Sequence, residues 1–479
     1  MDLPPVENTD FWGNWDDPAW HQWIDLRSDA AGEFYADLRS ALPEDFILTG
    51  CGANSAAPLG VMAGSDARTF LRGWNYVNME MSGNTPPYKH DPLTVNRSVP
   101  TRLVNASHHQ AAAREHGVRA FCTGFAHSTV NASHVWAVSK LLGADAWIGT
   151  LKMRLGLPRH ILATIPNEED ITGAAFNFEK DHPQLFSGES VGQLGVYYSY
   201  ETRNHTFYGS LEKGYYRDYG MALTLLFREG LNPHTVFSFP EGPEDYPVIL
   251  VSGAARLASE ELRAMERYLA AGGKVIVLGP TNIPGCENGW QRPTRVTAGE
   301  NIFTTVPDGI HAKRPAWMQE QEIPEPAHTK DWQTPAEGLF YNSRRLNGQL
   351  EAELTELVRR FVKPQPVEIL QSRGYLFSFS RHEGGTVVQA LAADYDVDID
   401  HELDAMRSHR SRVNLLTKIE AMGVDREIRL AASGKVQVFT PLNREEAAVA
   451  QCNGVCTVTL PEKCSYAVFY FPNEDEQGE

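Results

Sequence analysis

The spacing of apolar residues at the start of the chain is typical of a helix. Residues 16–42 place apolar side chains mostly three or four positions apart, with Asp16 or Asp17 available as the cap and Pro18 in the first turn. We expect one buried stripe along this helix, formed by Trp20, Trp23, Ile24, Phe34, Leu38 and Leu42.

Short apolar runs and helical stretches then alternate. The runs predict strands at 46–49, 73–81, 118–127 and 145–154. Helical stretches separate the later strands, at 99–117 and 128–144. This alternation favours a parallel sheet with covering helices, consistent with part of a barrel.

A second alternating unit begins near residue 190. Its strands are predicted at 192–199, 235–240, 246–253 and 274–280. Its helices are predicted at 216–230 and 258–273, the second capped by Ser259. Two of the strands are continuously apolar, as expected for parallel strands buried on both faces. The pattern is that of a doubly wound, flavodoxin-like sheet.

Beyond residue 280 the sequence pattern changes twice, first to an aperiodic stretch and then to short alternating runs. Residues 280–340 are rich in Pro, Gly and Gln and show no clear period, which indicates an insertion or a packed connection. A helix is predicted at 353–362. Short alternating runs follow at 367–371, 375–380, 386–392, 427–432, 435–440, 456–460 and 466–472. These runs favour an antiparallel β-sandwich.

Composition narrows the class of protein. The 479 residues carry 43 basic and 61 acidic side chains, a formal charge of −18, which disfavours nucleic acid and anionic membranes as partners. No apolar run is long enough to span a membrane, and the acidic N-terminus lacks a secretory signal. Of the six cysteines, Cys452, Cys456 and Cys464 are interpreted as reduced core thiols, so we expect a cytoplasmic protein.

Several familiar sites are absent from the sequence or weakly indicated. There is no Walker loop and no GxGxxG after a strand, and we expect neither a cofactor nor a metal. An amidotransferase would need a nucleophilic cysteine at a strand-to-helix elbow, where this chain has Gly253. The alternating acidic residues at 394–402 are interpreted as a solvated edge or salt-bridge partners, with calcium binding as the alternative.

The strongest candidate site lies where the first four predicted strands end. Parallel α/β folds place functional groups at the carboxyl ends of their strands. Those ends carry amide, carboxylate, imidazole and cationic side chains, near one tryptophan: Asn54, Trp74, Asn78, Glu80, His127, Lys152 and Arg154. Such a set suits a polar ring with many hydroxyls. Glu80 is predicted to share a strand face with Asn78, opposite Met79, either as a catalytic group or as a structural ion-pair partner.

Together these segments resemble glycoside hydrolase family 42. The resemblance rests on HQWIDLRSDAAGEFYADLRSALPEDF, ILTGCGAN, WNYVNMEMSG and HVWAVSKLLGADAWIGTLKMR, which resemble the second half of a (β/α)8 barrel. The unit at 190–280 resembles the β-galactosidase trimerisation domain, and the final β-domain matches the same order. The resemblance implies a barrel-type segment at 1–165, a flavodoxin-like domain with a long insertion at 186–345, and a helix plus β-sandwich at 346–479.

The family's catalytic pair does not carry over to this chain. Family 42 enzymes use one Glu after barrel strand 4 and one after strand 7. Under this alignment the chain begins after strand 4, Glu80 lies on strand 6, and strand 7 offers Thr123 and His127 instead of a Glu. The resemblance implies a protein that hydrolyses or binds β-linked sugars. From its place at a strand end, we predict that Glu80 is one of the two catalytic carboxyl groups, and its partner is not identified. The alternative is a non-catalytic carbohydrate-binding or assembly protein. A homo-oligomer, preferably a trimer, is also implied.

Overall fold

The computed structural model describes most of the chain, with gaps. The described residues are 3–5, 8, 10–50, 55–56, 58–80, 98–126, 129–150, 168–206, 215–279, 281–284, 286, 293–298, 302–307, 348–372, 374–392, 426–432, 434–443, 445–462 and 464–473. The acidic row at 394–402 and most of 280–340 lie outside them.

The N-terminal segment contains a three-stranded parallel sheet in the order β1-β2-β3. The strands are β1 (Tyr76–Glu80), β2 (Arg119–Ala126) and β3 (Asp145–Thr150). The helices are α1 (Pro18–Ala41), α2 (Pro58–Ala63), α3 (Ala67–Phe70), α4 (Ser98–His116), α5 (Thr129–Leu141) and α6 (Glu168–Asp181), followed by a 3-10 helix at Pro183–Leu185. The predicted helix–strand alternation from 73 onward is confirmed.

Helix α1 begins as predicted but buries a different stripe. The Asp17 side chain accepts a hydrogen bond from the Ala19 amide, and Pro18 opens the helix. The buried positions are Trp20, Ile24, Ser28 and Gly32, each four residues apart. Phe34 is 61% exposed, so its predicted burial is wrong. The reason is the close approach of α3, where a Cβ on residue 32 would lie 2.9 Å from Thr69 Cβ.

The predicted strand at 46–49 is also wrong. Phe46 and Ile47 are exposed, and no strand forms there. The segment still lies beside β1, because the Asn75 amide donates to the Leu48 carbonyl and the Leu48 amide donates to the Asn75 side chain. A side-chain oxygen therefore replaces one partner of the ladder.

Both crossover helices cover the same face of the N-terminal sheet. Helix α4 contacts β1 and β2, and α5 contacts β2 and β3. Val77, Met79 and Cys122 are fully buried under them. A doubly wound sheet would carry helices on both faces, whereas a barrel carries them on one. Among the described residues, both crossover helices lie on one face of a three-stranded parallel sheet, and no closed barrel is present.

The middle segment forms a six-stranded sheet in the order β6-β5-β7-β8-β10-β9. The strands are β5 (Leu194–Tyr197), β6 (Pro233–Val236), β7 (Val248–Ser252), β8 (Lys274–Leu278), β9 (Pro293–Ala298) and β10 (Ile302–Pro307). The helices are α7 (Tyr200–His205), α8 (Tyr215–Arg228) and α9 (Ser259–Ala270). All pairings except β9–β10 are parallel, which confirms the predicted parallel sheet.

Two details of this segment differ from the sequence prediction. The cap of α9 is Ala258, not Ser259, and its amide donates to the Glu261 carboxylate over 2.6 Å. The antiparallel edge strand β9 lies in the stretch that showed no period. Counted within the unit, the five parallel strands run 2-1-3-4-5, which is the flavodoxin-like order.

The C-terminal segment contains helix α10 (Gly348–Phe361) and two antiparallel sheets, ordered β11-β14-β17-β16 and β15-β18-β13-β12-β4. The strands are β4 (Glu189–Ser190), β11 (Glu368–Gln371), β12 (Tyr375–His382), β13 (Gly385–Ala392), β14 (Glu427–Ala431), β15 (Gln437–Phe439), β16 (Ala448–Cys452), β17 (Val455–Thr459) and β18 (Tyr466–Pro472). One apolar core joins both sheets, including Phe377, Ile428 and Phe469.

The cysteines of this segment are only partly core residues. Cys456 and Cys464 are buried free thiols, as expected. Cys452 is exposed, which corrects its assignment to the core. Its strand, β16, is an edge strand with every residue exposed. The apolar pattern of the sequence therefore did not predict this strand.

A buried carboxylate joins the N-terminal segment to the parallel sheet. Asp66 is 1% exposed, caps α3 and pairs with Arg68 at 2.9 Å. The Arg68 guanidinium lies 3.1 Å from the ring centre of Tyr200, at the start of α7. The fully buried Arg203 donates to the Ser65 carbonyl over 2.6 Å. Burial alone would raise the pKa of Asp66, but Arg68 and then Arg203 hold it below its ordinary value.

A second polar contact joins α1 to α7. His205 Nε2 lies 2.9 Å from the Asp25 carboxylate, and its Nδ1 lies 2.7 Å from Glu201. The His21 ring stacks on His205, and Arg256 pairs with Glu201. Burial alone would lower the pKa of His205, but hydrogen bonds to the two carboxylates raise it to about 9.

A single apolar cluster runs through all three segments, from Ala56 to Val468. Trp136 of α5 contacts Tyr466 of β18, with ring centres 5.2 Å apart. The predicted domain limits at 165, 186 and 345 stay predictions. Within the described residues, no helix has both the length and the apolar character needed to cross a bilayer.

Replacing Asp66 by Asn keeps the helix cap but removes the charge that pairs with Arg68. We expect the free energy of unfolding to fall by about 1.5–3 kcal/mol, the usual effect of losing hydrogen bonds to a charged group, because Arg68 is partly exposed to solvent. Urea unfolding followed by fluorescence measures it. The matched control is Asp29→Asn, which removes an exposed partner of Arg72 and should cost under about 1 kcal/mol. Equal effects of the two changes would contradict the role given to Asp66.

The His205 contact should make stability depend on pH. The folded-state pKa lies above the ordinary value of about 6.5, so protonation favours the folded chain. Its contribution is complete below pH 6.5 and is lost as the pH rises through about 9. His205→Gln should therefore lower the unfolding temperature clearly at about pH 6 and little at about pH 10. A difference in unfolding temperature that stays constant with pH would show that the ionised contact does not stabilise the fold.

Candidate functional site

Among the described residues, α4 and α5 are the helices with extensive contacts to the N-terminal sheet, and they leave its opposite face without a covering element. Side chains alternate along each strand, so Tyr76 and Asn78 point away from the buried Val77 and Met79. Tyr76 and Asn78 are half-buried, and Trp147 of β3 is 58% exposed. We call this surface, formed by Tyr76, Asn78, Phe121, Thr123 and Trp147, the open face.

Polar contacts fix the carboxyl half of the open face. The Thr123 hydroxyl donates to the Asn78 side-chain oxygen over 2.8 Å. In the register of the sheet, Thr123 stands between Glu80 of β1 and Trp147 of β3. The hydrogen bond leaves the Asn78 amide nitrogen as a donor toward this face. The open face therefore offers an aromatic ring, an amide and a hydroxyl at neighbouring positions.

The charged groups of β2 and β3 lie at the other end of the strands. Arg119 and Asp145 are the first residues of their strands and pair at 2.6 Å. Both side chains are largely exposed. Asp145 is thus held in an ion pair at the amino ends, away from the position that a barrel enzyme uses for catalysis.

The structure places three of the seven sequence-predicted site residues. Glu80 is the last residue of β1, as expected for a strand-end group, and its side chain lies outside the description. Asn78 lies on the open face. Four predicted residues fall outside the described part of the chain, namely Asn54, His127, Lys152 and Arg154.

Trp74 packs in the core just before β1. It is 4% exposed, and its ring lies 5.1 Å from that of Tyr35 and 4.9 Å from that of Phe70. Gly50 packs against the same ring, since a Cβ there would meet it at 2.4 Å. These contacts give Trp74 a structural role, and its role in binding stays a prediction.

Sequence reasoning missed Trp147 as a candidate. Its signal was present, because period two in DAWIGT places Trp147 on the face opposite Ala146. Burial in the folded protein identifies the open side, which the sequence alone left undecided. An exposed tryptophan beside amide and hydroxyl groups suits a sugar ring, which presents apolar C–H groups on one face and hydroxyls around its edge.

The middle sheet is a weaker candidate. Flavodoxin-like folds bind ligands beyond the carboxyl ends of their first and third strands, here β5 and β7. The α7 residues Tyr200 and Arg203 follow β5 and are packed against Arg68 and Ser65. The turn after β7 carries Gly253 at φ +67° and no cysteine, in agreement with the exclusion of an amidotransferase.

Comparison with solved structures identifies the fold. The β-galactosidase of Rahnella sp. R3 matches with a TM-score of 0.58 and 7% identity, over 99% of this chain and 70% of that chain. Gan42B, a GH42 β-galactosidase of G. stearothermophilus, matches at 0.56 with 11% identity, over 98% and 70%. The β-galactosidase of Bacillus circulans sp. alkalophilus matches at 0.52 with 10% identity, over 94% and 68%.

The chain therefore has a GH42-like glycoside hydrolase fold. No protein-family model and no curated protein sequence matches it. The likeness is one of fold, as expected from the resemblance in segment order. At these identities it does not specify the residues that bind or react.

Trp147→Ala tests whether the open face contacts a ligand. Trp147 is largely exposed, so its loss should leave the unfolding temperature nearly unchanged. If sugar binds here, affinity for the best ligand of the parent should fall roughly 10-fold or more, as for loss of a stacking aromatic residue. Isothermal titration calorimetry measures it. Phe34→Ala, which removes another exposed aromatic side chain on α1, is the control. Unchanged affinity in Trp147→Ala would exclude the open face as the binding surface.

Proposed function

We propose that this protein is a glycoside hydrolase-like protein that acts on a β-linked sugar, as a β-galactosidase does. The observation that carries the proposal is the fold shared with three β-galactosidases over at least 94% of the chain. The open face supports it, because the exposed Trp147 and the half-buried Asn78 lie on one face of parallel strands, and barrel enzymes bind substrate toward the carboxyl ends of such strands.

In this proposal Glu80 is a catalytic carboxyl group. Hydrolysis of a glycosidic bond passes through a cation-like transition state, so one carboxyl group protonates the leaving oxygen and another stabilises or attacks the sugar. Glu80 stands next to Thr123 at the end of β1. Asn78 would hold a sugar hydroxyl with its amide nitrogen. The remaining proposed substrate-binding residues are Asn54, Trp74, His127, Lys152 and Arg154.

A carbohydrate-binding protein without catalysis is the second candidate. The observation that favours it concerns the second carboxylate that hydrolysis requires. On the described strands of the N-terminal sheet, the other carboxylate is Asp145, which lies at the amino end and pairs with Arg119. Binding needs only the open face, whereas hydrolysis needs a partner for Glu80.

The proposal includes an assembly and a location. The flavodoxin-like sheet occupies the place of a trimerisation domain, which supports a homo-oligomer, preferably a trimer. The domain limits at 165, 186 and 345 and the cytoplasmic location are parts of the same proposal. The location rests on the reading of the cysteines as reduced thiols.

Glu80→Gln tests the catalytic role. With aryl β-galactosides and related β-glycosides as substrates, we expect kcat to fall roughly 1000-fold or more, because a catalytic carboxyl group contributes several kcal/mol to barrier lowering. Affinity for galactose should change little, since the amide keeps the size and one acceptor. Glu33→Gln, an exposed change on α1, is the matched control.

Four outcomes test the two candidates. Loss of turnover with retained binding supports the hydrolase. A parent that binds sugars but hydrolyses none supports the binding protein. A Glu80→Gln variant within a few-fold of an active parent would remove Glu80 from catalysis, and a parent that neither binds nor hydrolyses any member of the panel would overturn both candidates.

A further inference from the structure

A cavity lies where the three segments of the chain meet. Its volume is about 410 Å³, and its walls come from α4, the end of α5, β6, β4 and β12. Helix α4 ends three residues before β2 begins, so the wall built by the C-terminal half of α4 lies at the amino ends of the barrel-type strands. The cavity is therefore separate from the open face and its strand ends.

One polar stripe of α4 lines the cavity. Ser107, Gln110 and Arg114 are spaced i, i+3 and i+7, which places them on one side of the helix. Ser107 is 5% exposed, and neither its hydroxyl nor the Gln110 side-chain oxygen has a hydrogen-bond partner among the described residues. Buried polar atoms are normally satisfied, so two unsatisfied groups on one cavity wall indicate a missing partner.

The cation on this stripe lacks a carboxylate. Arg114 donates to the Thr235 carbonyl over 2.9 Å, and no ion pair to it forms within the described part of the chain. Arg114 reaches solvent, yet desolvation by surrounding protein lowers its pKa. A guanidinium that is both accessible and desolvated lies in a concavity. The second cation of the cavity, Lys140, is already paired with Glu179 at 2.5 Å.

The opposite wall supplies neutral hydrogen-bonding groups and one carboxylate, the exposed Glu189 of β4. His234 Nε2 lies 2.6 Å from the Ser190 hydroxyl, and Nδ1 lies 3.1 Å from the Tyr246 hydroxyl. Asn232 donates to the same serine over 3.1 Å. Burial, and then the charge of Arg114, lower the pKa of His234 to about 3, so the imidazole is neutral. A neutral imidazole with no acid partner is a poor general base, so this wall suits binding rather than nucleophilic catalysis.

We propose that this cavity binds a small hydroxylated anion, a sugar acid or a sugar phosphate. The anionic oxygens pair with Arg114, the Ser107 hydroxyl donates to the ligand, and the Gln110 oxygen accepts from a ligand hydroxyl. The two unsatisfied groups on α4 gain partners in this way, and the Arg114 charge gains an anion beside the carbonyl that it already binds. A purely anionic ligand would leave the Gln110 oxygen facing negative charge, and a neutral sugar would leave Arg114 unpaired. The volume is that of a small-molecule site.

A ligand bound in this cavity should also increase the stability of the folded protein. Its walls belong to all three segments, so a ligand there contacts each of them and favours the folded chain by mass action. The inference does not depend on the proposed function, because none of its residues is assigned to the open face or to Glu80.

The experiment is isothermal titration calorimetry at fixed ionic strength with four probes. These are galactonate, galactose 6-phosphate, galactose and inorganic phosphate. We expect galactonate or galactose 6-phosphate to bind at least about 10-fold more tightly than either of the other two, and to raise the unfolding temperature. The better of the two anions identifies the anionic group.

Two variants locate the binding. Arg114→Gln keeps a donor for the Thr235 carbonyl but removes the charge, and should weaken binding about 10-fold or more. Ser107→Ala removes a hydroxyl that bonds to no described residue, so it should fold normally and weaken binding about 3-fold or more. Arg360→Gln, an exposed change on α10, is the control and should bind like the parent.

The result that overturns the proposal is also definite. Saturation by none of the probes up to about 10 mM would exclude the site. So would tight binding that Ser107→Ala leaves unchanged, and this variant decides the matter if Arg114→Gln fails to fold. Equal affinity for galactose and the two sugar anions would show that the Arg114 charge is not used.

Discussion

The ion pair between the buried Asp66 carboxylate and Arg68 is the interaction on which the arrangement of this protein depends. Removing a carboxylate from water is costly, and only paired charges and hydrogen bonds offset that cost. The pairing fixes Arg68 against the Tyr200 ring. Helix α7 follows β5, so this contact attaches the N-terminal segment to the carboxyl end of the parallel sheet. Flavodoxin-like sheets ordinarily bind ligands at that end. Here the same position serves attachment of the N-terminal segment.

The elements that the sequence predicted correctly are those whose pattern depends on burial along their whole length. The apolar runs of β7 and β8 are buried on both faces. The sequence therefore predicts these strands without knowledge of the elements that pack on them. The failures concern elements whose partners are distant in the sequence. The segment at 46–49 was read as a strand, but the Asn75 side chain takes the place of a ladder partner. Phe34 follows the helical spacing and is nevertheless exposed, since α3 packs on Gly32 instead.

In the candidate site too, the sequence did not predict contacts between side chains that are distant along the chain. Strand polarity and alternation were sufficient to place Asn78 on the face opposite Met79, because both properties belong to the strand itself. They could not show that Trp74 packs between Tyr35 and Phe70, since those rings come from α1 and α3. Nor could they identify the open side of the sheet. That side is decided by α4 and α5, which both cover the other face and leave Trp147 exposed.

The two proposed sites lie at opposite ends of the parallel strands of the N-terminal sheet. Glu80 pairs with Thr123, the fifth residue of β2, so it lies roughly 13 Å along that strand from Arg119 at about 3.3 Å per residue. A ligand beside Arg114 at the amino ends therefore lies at the other end of β1 and β2 from a substrate beside Glu80. Two helices connect these places: α4 lines the cavity with its C-terminal half and packs on β1 and β2, and α5 lines it with its end and packs on β2 and β3. Binding free energies coupled in this way are reciprocal, so a ligand that tightened sugar binding would itself be bound more tightly in the presence of the sugar.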